Sequence, residues 1–323
     1  GAGRAPSDGA VAILQGRAVG GTTTVNWTSS FHTPPQTLQY WGERFGVKGA
    51  SEAEMAPWFA KMEERLGIAP WAVPPNANNG ALQRGAEKLG WASHVIPRNV
   101  RGCWNLGYCG LGCPTNAKQS MLVTTIPGAL KLLHHVSVRR LVFAGDQVSG
   151  LEAVALQADG VAHGSVKITV KARHYVLSGG AINNPALLLR SKAPDPYGRI
   201  GKRTCIHPVN LSLAIMPDKV EGYYGAPQSI YSDEFQWKTG ATGPVGYKIE
   251  VAPMQPLLGS VIYGRYGAEL KAGMAQLPNM QSMLALLRDG FDEHSQGGTV
   301  EIDGSGAPVV HYDFDDYLWD GFR

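Results

Sequence analysis

Charge is scarce in this chain. Asp, Glu, Lys and Arg supply 17% of its 323 residues, and the formal net charge is +3. The basic residues are scattered, with "SVRRL" the nearest thing to a run, so the clustered positive face of a nucleic-acid binder is missing. No stretch of about 18 uninterrupted apolar residues occurs, which argues against a transmembrane helix. Four cysteines are too few to staple a chain of this length as a disulfide scaffold. Internal repeats and low-complexity tracts are missing too. What remains is a globular composition, 44% hydrophobic, long enough for two domains or one large one.

Glycine is the residue in excess. It fills 41 positions, near twice the average share of about 7%, and implies tight turns or close approaches of backbone to a ligand. "AVAILQ" at 10–15 reads as a short buried strand or extended run that breaks at "GRAVGGTTTVNW". From Thr37 to Gly67 the texture is helical: "TLQYWGERFG" and "SEAEMAPWFAKMEERLG" space apolar residues by three and four and close on Gly. Ser51 and Glu54 make a capping box there. A Pro/Asn-rich connection leads to a short helix at "LQRGAEKLG", and "SMLVTTIPGALKLL" reads as helical despite Pro127. From His135 onward the alternation predicts a three-strand antiparallel meander, then a strand buried on both sides at "HYVLSGG". A helix at "NNPALLLRSK" follows at once. Further strands are expected at "VNLSLAIMP", "GYKIEVAP" and "GGTVEID", a helix near 280–288, and the start of another at "DYLWDGFR".

Two passages point to a ligand. In "GRAVGGTTTVN" the adjacent Gly20 and Gly21 let backbone lie flat against a ligand, and their N–H groups with the Thr hydroxyls suit a pyrophosphate; an ordinary turn uses the same residues. "YVLSGGAINNPALLLRS" puts a strand, Gly179-Gly180 and a helix start in succession, either a nucleotide-binding edge or a structural strand–turn–helix.

Taken in this order, these passages resemble the glucose–methanol–choline (GMC) family of flavin oxidoreductases. "GRAVGGTTTVNW" is similar to the family's first signature, "GGAINNPALLLRS" to its second, and "IGKRTCIHPV" to its glycine-then-His-Pro passage, whose His207 is structural in the family. The likeness runs from about Gly16 to the end. It departs at Phe31, an aromatic one place late, at Asn184 where Ser or Thr is usual, and at Lys192 where Gly is usual. The resemblance implies an α+β fold: an incomplete α/β nucleotide-binding layer of FAD/NAD(P)-binding Rossmann-like type plus an antiparallel-sheet substrate domain. The implied domains are FAD-binding over 1–30 and 92–200, a helical cap over 31–91, and substrate-binding over 201–323.

By the same resemblance Arg17, Gly20, Gly21, Thr22, Asn26 and Trp27 line the flavin side. Val138 meets the adenine through its backbone, and Gly179 and Gly180 lie near the cofactor. The implied chemistry is hydride transfer from an alcohol carbon to the FAD flavin N5 while a His takes the hydroxyl proton. The family's G-x-G-x-x-G is not matched, Gly1-Ala2-Gly3 following no strand, and its catalytic His is expected beyond Arg323. The expectation is an internal segment of a longer protein, inert by itself if cofactor cradle and base are both elsewhere.

"GCWNLGYCGLGCPTNAKQS" spaces Cys103, Cys109 and Cys113 as C-x5-C-x3-C-P. GMC relatives often carry a "C…GC…K" segment here with no metal, which makes these plain thiols. The spacing also resembles the passage of bacterial flavin glucose and fructose dehydrogenases that binds a three-iron cluster and passes electrons to a cytochrome or quinone. On that second reading the loop is itself an electron-transfer module; zinc or a disulfide is the third. Cys205 reads as a small apolar filler. Trp27, Trp41, Trp58, Trp71 and Trp104 are candidate walls for a bulky apolar or aromatic alcohol.

Overall fold

The computed structural model describes residues 5–9, 11–129, 131–292 and 295–323. Gly1–Gly3 and Ala10, on which two sequence readings fell, lie outside them.

Local signals hold along the first helices. α1 (Pro35–Phe45) has Pro at its first turn and ends at Gly46, φ 63°. A left-handed residue there closes the helix at no steric cost only as glycine. α2 (Glu52–Leu66) opens on the expected capping box: Ser51 Oγ accepts from Glu54 N at 3.4 Å, and Glu54 Oε2 accepts from Ser51 N at 3.1 Å. Ser51→Ala is expected to lower stability by about 1 kcal/mol, read as a shift of the denaturation midpoint.

β1 (Ile68–Pro70) leads into α3 (Ala77–Leu89), which begins a turn and a half before its expected start because Asn76 caps it, Oδ1 accepting from Asn79 N at 2.9 Å. β2 (His94–Val95), β3 (Pro97–Asn99) and the single turn α4 (Met121–Thr124) follow. The long helix expected at 120–133 is not formed. It gives way to a 3-10 turn at Ile126–Gly128, since Pro127 has no N–H to continue the ladder.

The meander forms as expected: β4 (Val136–Ala144), β5 (Gln147–Leu156) and β6 (His163–Val170) pair antiparallel in that order. The strand expected at "HYVLSGG" does not. Residues 174–178 have no regular structure and Val176 is 85% exposed. No described strand lies beside them to pair their backbone groups, and an apolar run without a ladder is not a strand. α5 (Gly180–Arg190) follows.

The remaining elements are β7 (Val209–Ile215), β8 (Ile230–Tyr231), β9 (Tyr247–Glu250), α6 (Pro256–Tyr263) and α7 (Gly267–Ala275). β10 (Met280–Leu287), β11 (Thr299–Ile302), β12 (Pro308–His311) and α8 (Asp316–Phe322) complete the chain. Residues 280–287 read as helix from their Met, Leu and Ala content, yet β10 is the central strand between β7 and β9. Pairing on both edges overrides propensity. All strand pairs among the described residues are antiparallel, which makes the fold α+β. No helix among them is long and apolar enough to cross a membrane.

The chain divides into two units, each assembled from separated stretches. One takes the described residues within 1–15, 129–206 and 293–315. In it α5 packs on β4 and the β11–β12 hairpin, and Arg190 Nη1 donates to Gly306 O at 2.9 Å.

The other takes 16–128, 207–292 and 316–323. Its centre is α3, whose Asn78 and Asn79 are fully buried. Asn79 Oδ1 accepts from Ser229 N (2.9 Å) and Ile230 N (3.3 Å), while its Nδ2 donates to Asn76 Oδ1, Ala226 O and Pro227 O. Asn78 Nδ2 donates to Ala252 O at 3.2 Å and its Oδ1 accepts from Ser282 N at 3.1 Å. Beside these amides Leu82, Ile230 and Val251 form a small dry core.

Candidate functional site

The second unit carries the double-glycine turn. Gly20 and Gly21 sit at φ 92° and 60°, both left-handed. A Cβ on Gly20 would come within 2.9 Å of Leu122 N, so only glycine lets the turn rest against the start of α4. A Cβ on Gly21 would meet nothing within 4 Å; that side is open. Thr23 Oγ1 donates to Gly20 O at 2.5 Å and accepts from Met121 N at 3.0 Å, and Thr24 Oγ1 donates to Val19 O at 3.1 Å. Those two hydroxyls build the turn instead of offering protons outward. Thr22, exposed, accepts from Gly16 N at 3.1 Å and keeps its own proton to donate.

Two buried cations lie behind this turn. Lys118, 3% exposed, donates from Nζ to Asn26 O (2.6 Å), Thr24 O (3.0 Å) and Cys109 O (2.5 Å). Three carbonyls use all three ammonium donors. Burial pushes its pKa down, and the charged neighbours that act on it are Cys109, Cys113 and Arg98, with no carboxylate among them.

Arg98 on β3, 1% exposed, donates from Nε to Thr28 Oγ1 (2.9 Å) and from Nη2 to Trp27 O (3.2 Å) and Cys109 Sγ (3.3 Å). Its guanidinium carbon lies 4.7 Å from the centre of the Trp71 ring, and its Nη1 is buried without a partner. These bonds pin Thr28, a fully buried non-glycine at φ 70°, immediately after Asn26 and Trp27.

The cysteine loop closes over the same place. Gly110 packs on Trp27 so tightly that a Cβ would fall 2.7 Å from Cζ2. Between loop and turn opens a cleft of about 400 Å³, lined among others by Thr24, Leu111, Cys113, Pro114, Lys118 and Leu122. That volume suits a small-molecule site, typically about 300–1,000 Å³.

The three cysteines do not converge. Among the described residues no three His, Cys, Asp or Glu side chains come together to hold a metal ion, so the structure gives the iron–sulfur reading no support. Each sulfur has a different local partner: Asn105 N for Cys103, Arg98 for Cys109, Thr115 Oγ1 and Ala117 N for Cys113. All four cysteines are free thiols. Burial opposes ionisation of Cys113, but the Thr115 hydroxyl and backbone N–H groups around it outweigh that and hold its pKa below the ordinary thiol value.

The other expected cofactor residues are dispersed. Arg17 is exposed. Val138, Gly179 and Gly180 belong to the first unit. There Val138 faces Ala153 beside a bulge in β4, and Gly179 donates to Asn184 Oδ1 at 2.7 Å, so the unusual Asn184 closes the turn into α5. Trp41, Trp58 and Trp104 are exposed; of the five tryptophans, Trp27 and Trp71 lie at this site. His207 makes no side-chain hydrogen bond among the described residues, while Pro208 beside it is fully buried.

Sequence reasoning missed Arg98 and Lys118, because nothing in "IPRNV" or "TNAKQS" marks a cation for burial. It also missed Glu250 on β9, 5% exposed, whose Oε2 accepts from Gln228 Nε2 at 2.8 Å. Burial pushes the Glu250 pKa up to about 7 although neighbouring Lys248 pulls it down. Lys248 Nζ itself lies 3.6 Å from the centre of the Phe31 ring and 4.7 Å from that of Tyr231.

A family model described as GMC oxidoreductase matches residues 1–209. A GMC-type oxidoreductase of Mycobacterium tuberculosis is 30% identical over 310 residues, covering 94% of this chain and 46% of that protein. Long-chain-alcohol oxidase FAO4B of Arabidopsis thaliana is 28% identical over 297 residues, covering 87% of this chain and 39% of that one. The chain therefore spans under half the length of these relatives. Pyridoxine 4-oxidase from Mesorbium loti shares the fold with a TM-score of 0.59 at 17% identity, over 93% of this chain and 61% of that one.

Proposed function

Since the chain belongs to the GMC oxidoreductase family, we propose that it works in an FAD-dependent oxidoreductase that oxidises the CH–OH group of an alcohol. The observation that carries this reading is the double-glycine turn resting on two buried cations beside the cleft. The fit is one of shape and donors: Gly21 leaves its side open, Thr22 keeps a hydroxyl proton, and the cleft sets Leu111, Pro114 and Leu122 among polar residues such as Asn116 and Ser120. FAD, when bound, supplies the hydride acceptor. The chain's part is to hold and orient that group: residues 20–27 present backbone to it, Arg98 and Lys118 fix those residues, and Leu111, Pro114 and Leu122 exclude water. Val138, Gly179 and Gly180 go with the adenine half on this reading, the cap with 31–91 and the substrate domain with 201–323. The Rossmann-like layer is part of the same proposal.

A bulky apolar alcohol is the substrate class, supported by the name of the long-chain-alcohol oxidase above. A cytochrome or quinone as electron acceptor is the alternative to oxygen. The test is an anaerobic absorption spectrum of the purified natural-length protein. A two-band flavin spectrum that bleaches on adding a long-chain alcohol, and does not on adding a sugar, is expected. A folded protein without flavin bands would overturn the reading.

A further inference from the structure

A second group of titratable side chains lies away from the cleft, on an outer strand of the β7–β10–β9 sheet. Lys248 and Glu250 stand two residues apart on β9, so both side chains leave the same face. Ile249 between them turns to the dry core around Leu82. Leu286 and Leu284 lie opposite the pair on β10. Phe31 and Tyr231 flank Lys248, their ring centres 5.1 Å apart and edge to face. Phe31 is 42% exposed and Lys248 half-buried, so the amine can be reached from outside.

Among the described residues Lys248 Nζ makes no hydrogen bond or ion pair and has only the two ring faces beside it. Ring faces attract an ammonium, yet offer no oxygen to its three N–H groups. Burial lowers the Lys248 pKa and outweighs Glu250 and Asp233, which both raise it. That favours the free amine, as in the desolvated lysines that serve as nucleophiles. Glu250 is the complementary group. Gln228 Nε2 donates to its Oε2 at 2.8 Å, and Ser29 Oγ donates to Gln228 Oε1 at 3.3 Å, which fixes the carboxyl. Below about pH 7 that carboxyl is mostly a neutral acid. The other ionisable groups here are Tyr231, whose phenol pKa burial, Asp233 and Glu250 all raise, and His94, 3.6 Å from Asp233.

We propose that Lys248 is a carbonyl-capturing amine that condenses with an apolar aldehyde, with Glu250 as the acid of the condensation. The Nζ lone pair bonds to the aldehyde carbon while the C=O π pair moves to oxygen, and an amine proton then passes to that oxygen. The resulting hydroxyl leaves as water with a proton from Glu250, and the nitrogen lone pair closes a protonated C=N bond. One water is released, Glu250 ends as carboxylate, and nothing is oxidised or reduced. Phe31, Tyr231, Leu284 and Leu286 give the aldehyde's apolar part its surface. Oxidation of an alcohol yields an aldehyde, so the source of the aldehyde rests on the reading above; the capture needs no flavin.

The test is to incubate the natural-length protein with decanal and cyanoborohydride, which reduces each imine to a stable amine, and to map the labelled lysines by mass spectrometry. At about pH 6.5, Lys248 is expected to label roughly tenfold faster than the exposed Lys171 and Lys271. That ratio should fall as pH rises through 7, because Glu250 gives up its proton while the exposed amines speed up. In Glu250→Gln the fall through pH 7 should be gone. Lys248 labelling no faster than Lys171 and Lys271 overturns the proposal, and the same fall in both proteins overturns the part given to Glu250. Should the variant not fold, the parent's ratio decides. Rapid capture by a protein found to lack flavin keeps this site and removes only the proposed origin of the aldehyde.

Discussion

An Asn79→Leu chain is expected to lose roughly 3–5 kcal/mol of stability, the largest loss of any single change considered. Leucine matches the volume, so the effect isolates the amide. Its removal strands Ser229 N and Ile230 N on one side and Ala226 O and Pro227 O on the other, while Asn76 Oδ1 keeps the backbone N–H of residue 79. Each buried group left unpaired costs about 1–3 kcal/mol, and water cannot reach a residue with no exposed surface to replace the bonds. Residues 226–230 are loop and a two-residue strand with few other anchors, so some relaxation will trim the sum. Urea denaturation followed by tryptophan fluorescence reads the change as a lowered midpoint at unchanged slope. A loss under about 1 kcal/mol would show that this amide is decorative.

The second large effect depends on pH. Burial raises the Glu250 pKa from the ordinary carboxyl value of 4.5 to about 7 in the folded protein, opposed in part by Lys248. A raised carboxyl pKa means that the folded state binds the proton more tightly, so this contribution is full below about pH 4.5 and is lost as pH climbs through 7. The loss amounts to about 3 kcal/mol at most. Glu250→Gln is permanently neutral, can still accept from Gln228, and removes this contribution. It is therefore expected to be the more stable protein above pH 7 and to equal the parent near pH 4.5. Denaturation midpoints of both across pH 4.5–8 check this, and parallel curves would assign the burial penalty elsewhere.

What was legible in the sequence was whatever acts over a few residues. The Ser51–Glu54 box, the glycine stops after α1, α2 and α3, and the β4–β5–β6 meander are local rules, and the structure follows them. What was illegible depends on partners far along the chain. Residues 280–287 have helical composition and become strand because β7 and β9 flank them. Residues 174–178 have strand composition and stay irregular because no described strand pairs with them.

The candidate site divides the same way. Gly20 and Gly21 were readable because a left-handed pair is a property of the residues themselves. Lys118 was not, since its burial comes from carbonyls 92 and 94 positions earlier. Cys103, Cys109 and Cys113 looked like a ligand set only because sequence spacing carries no direction, and in space each sulfur turns to its own partner.

The interleaving of the two units also sets the order in which a growing chain can fold. As the ribosome releases residues 129–206, the meander can close at once, since its contacts are all short-range in sequence. The unit around α3 has to wait. Its sheet needs β10, and its last stretch, 316–323, brings in Leu318, 1% exposed, and Gly321, where a Cβ would collide with Val245. At about 5–20 residues per second, the apolar face of α3 stays uncovered for tens of seconds after α3 itself emerges. Slowed synthesis or a holding chaperone should therefore change the yield of folded protein more than any stabilising surface substitution would.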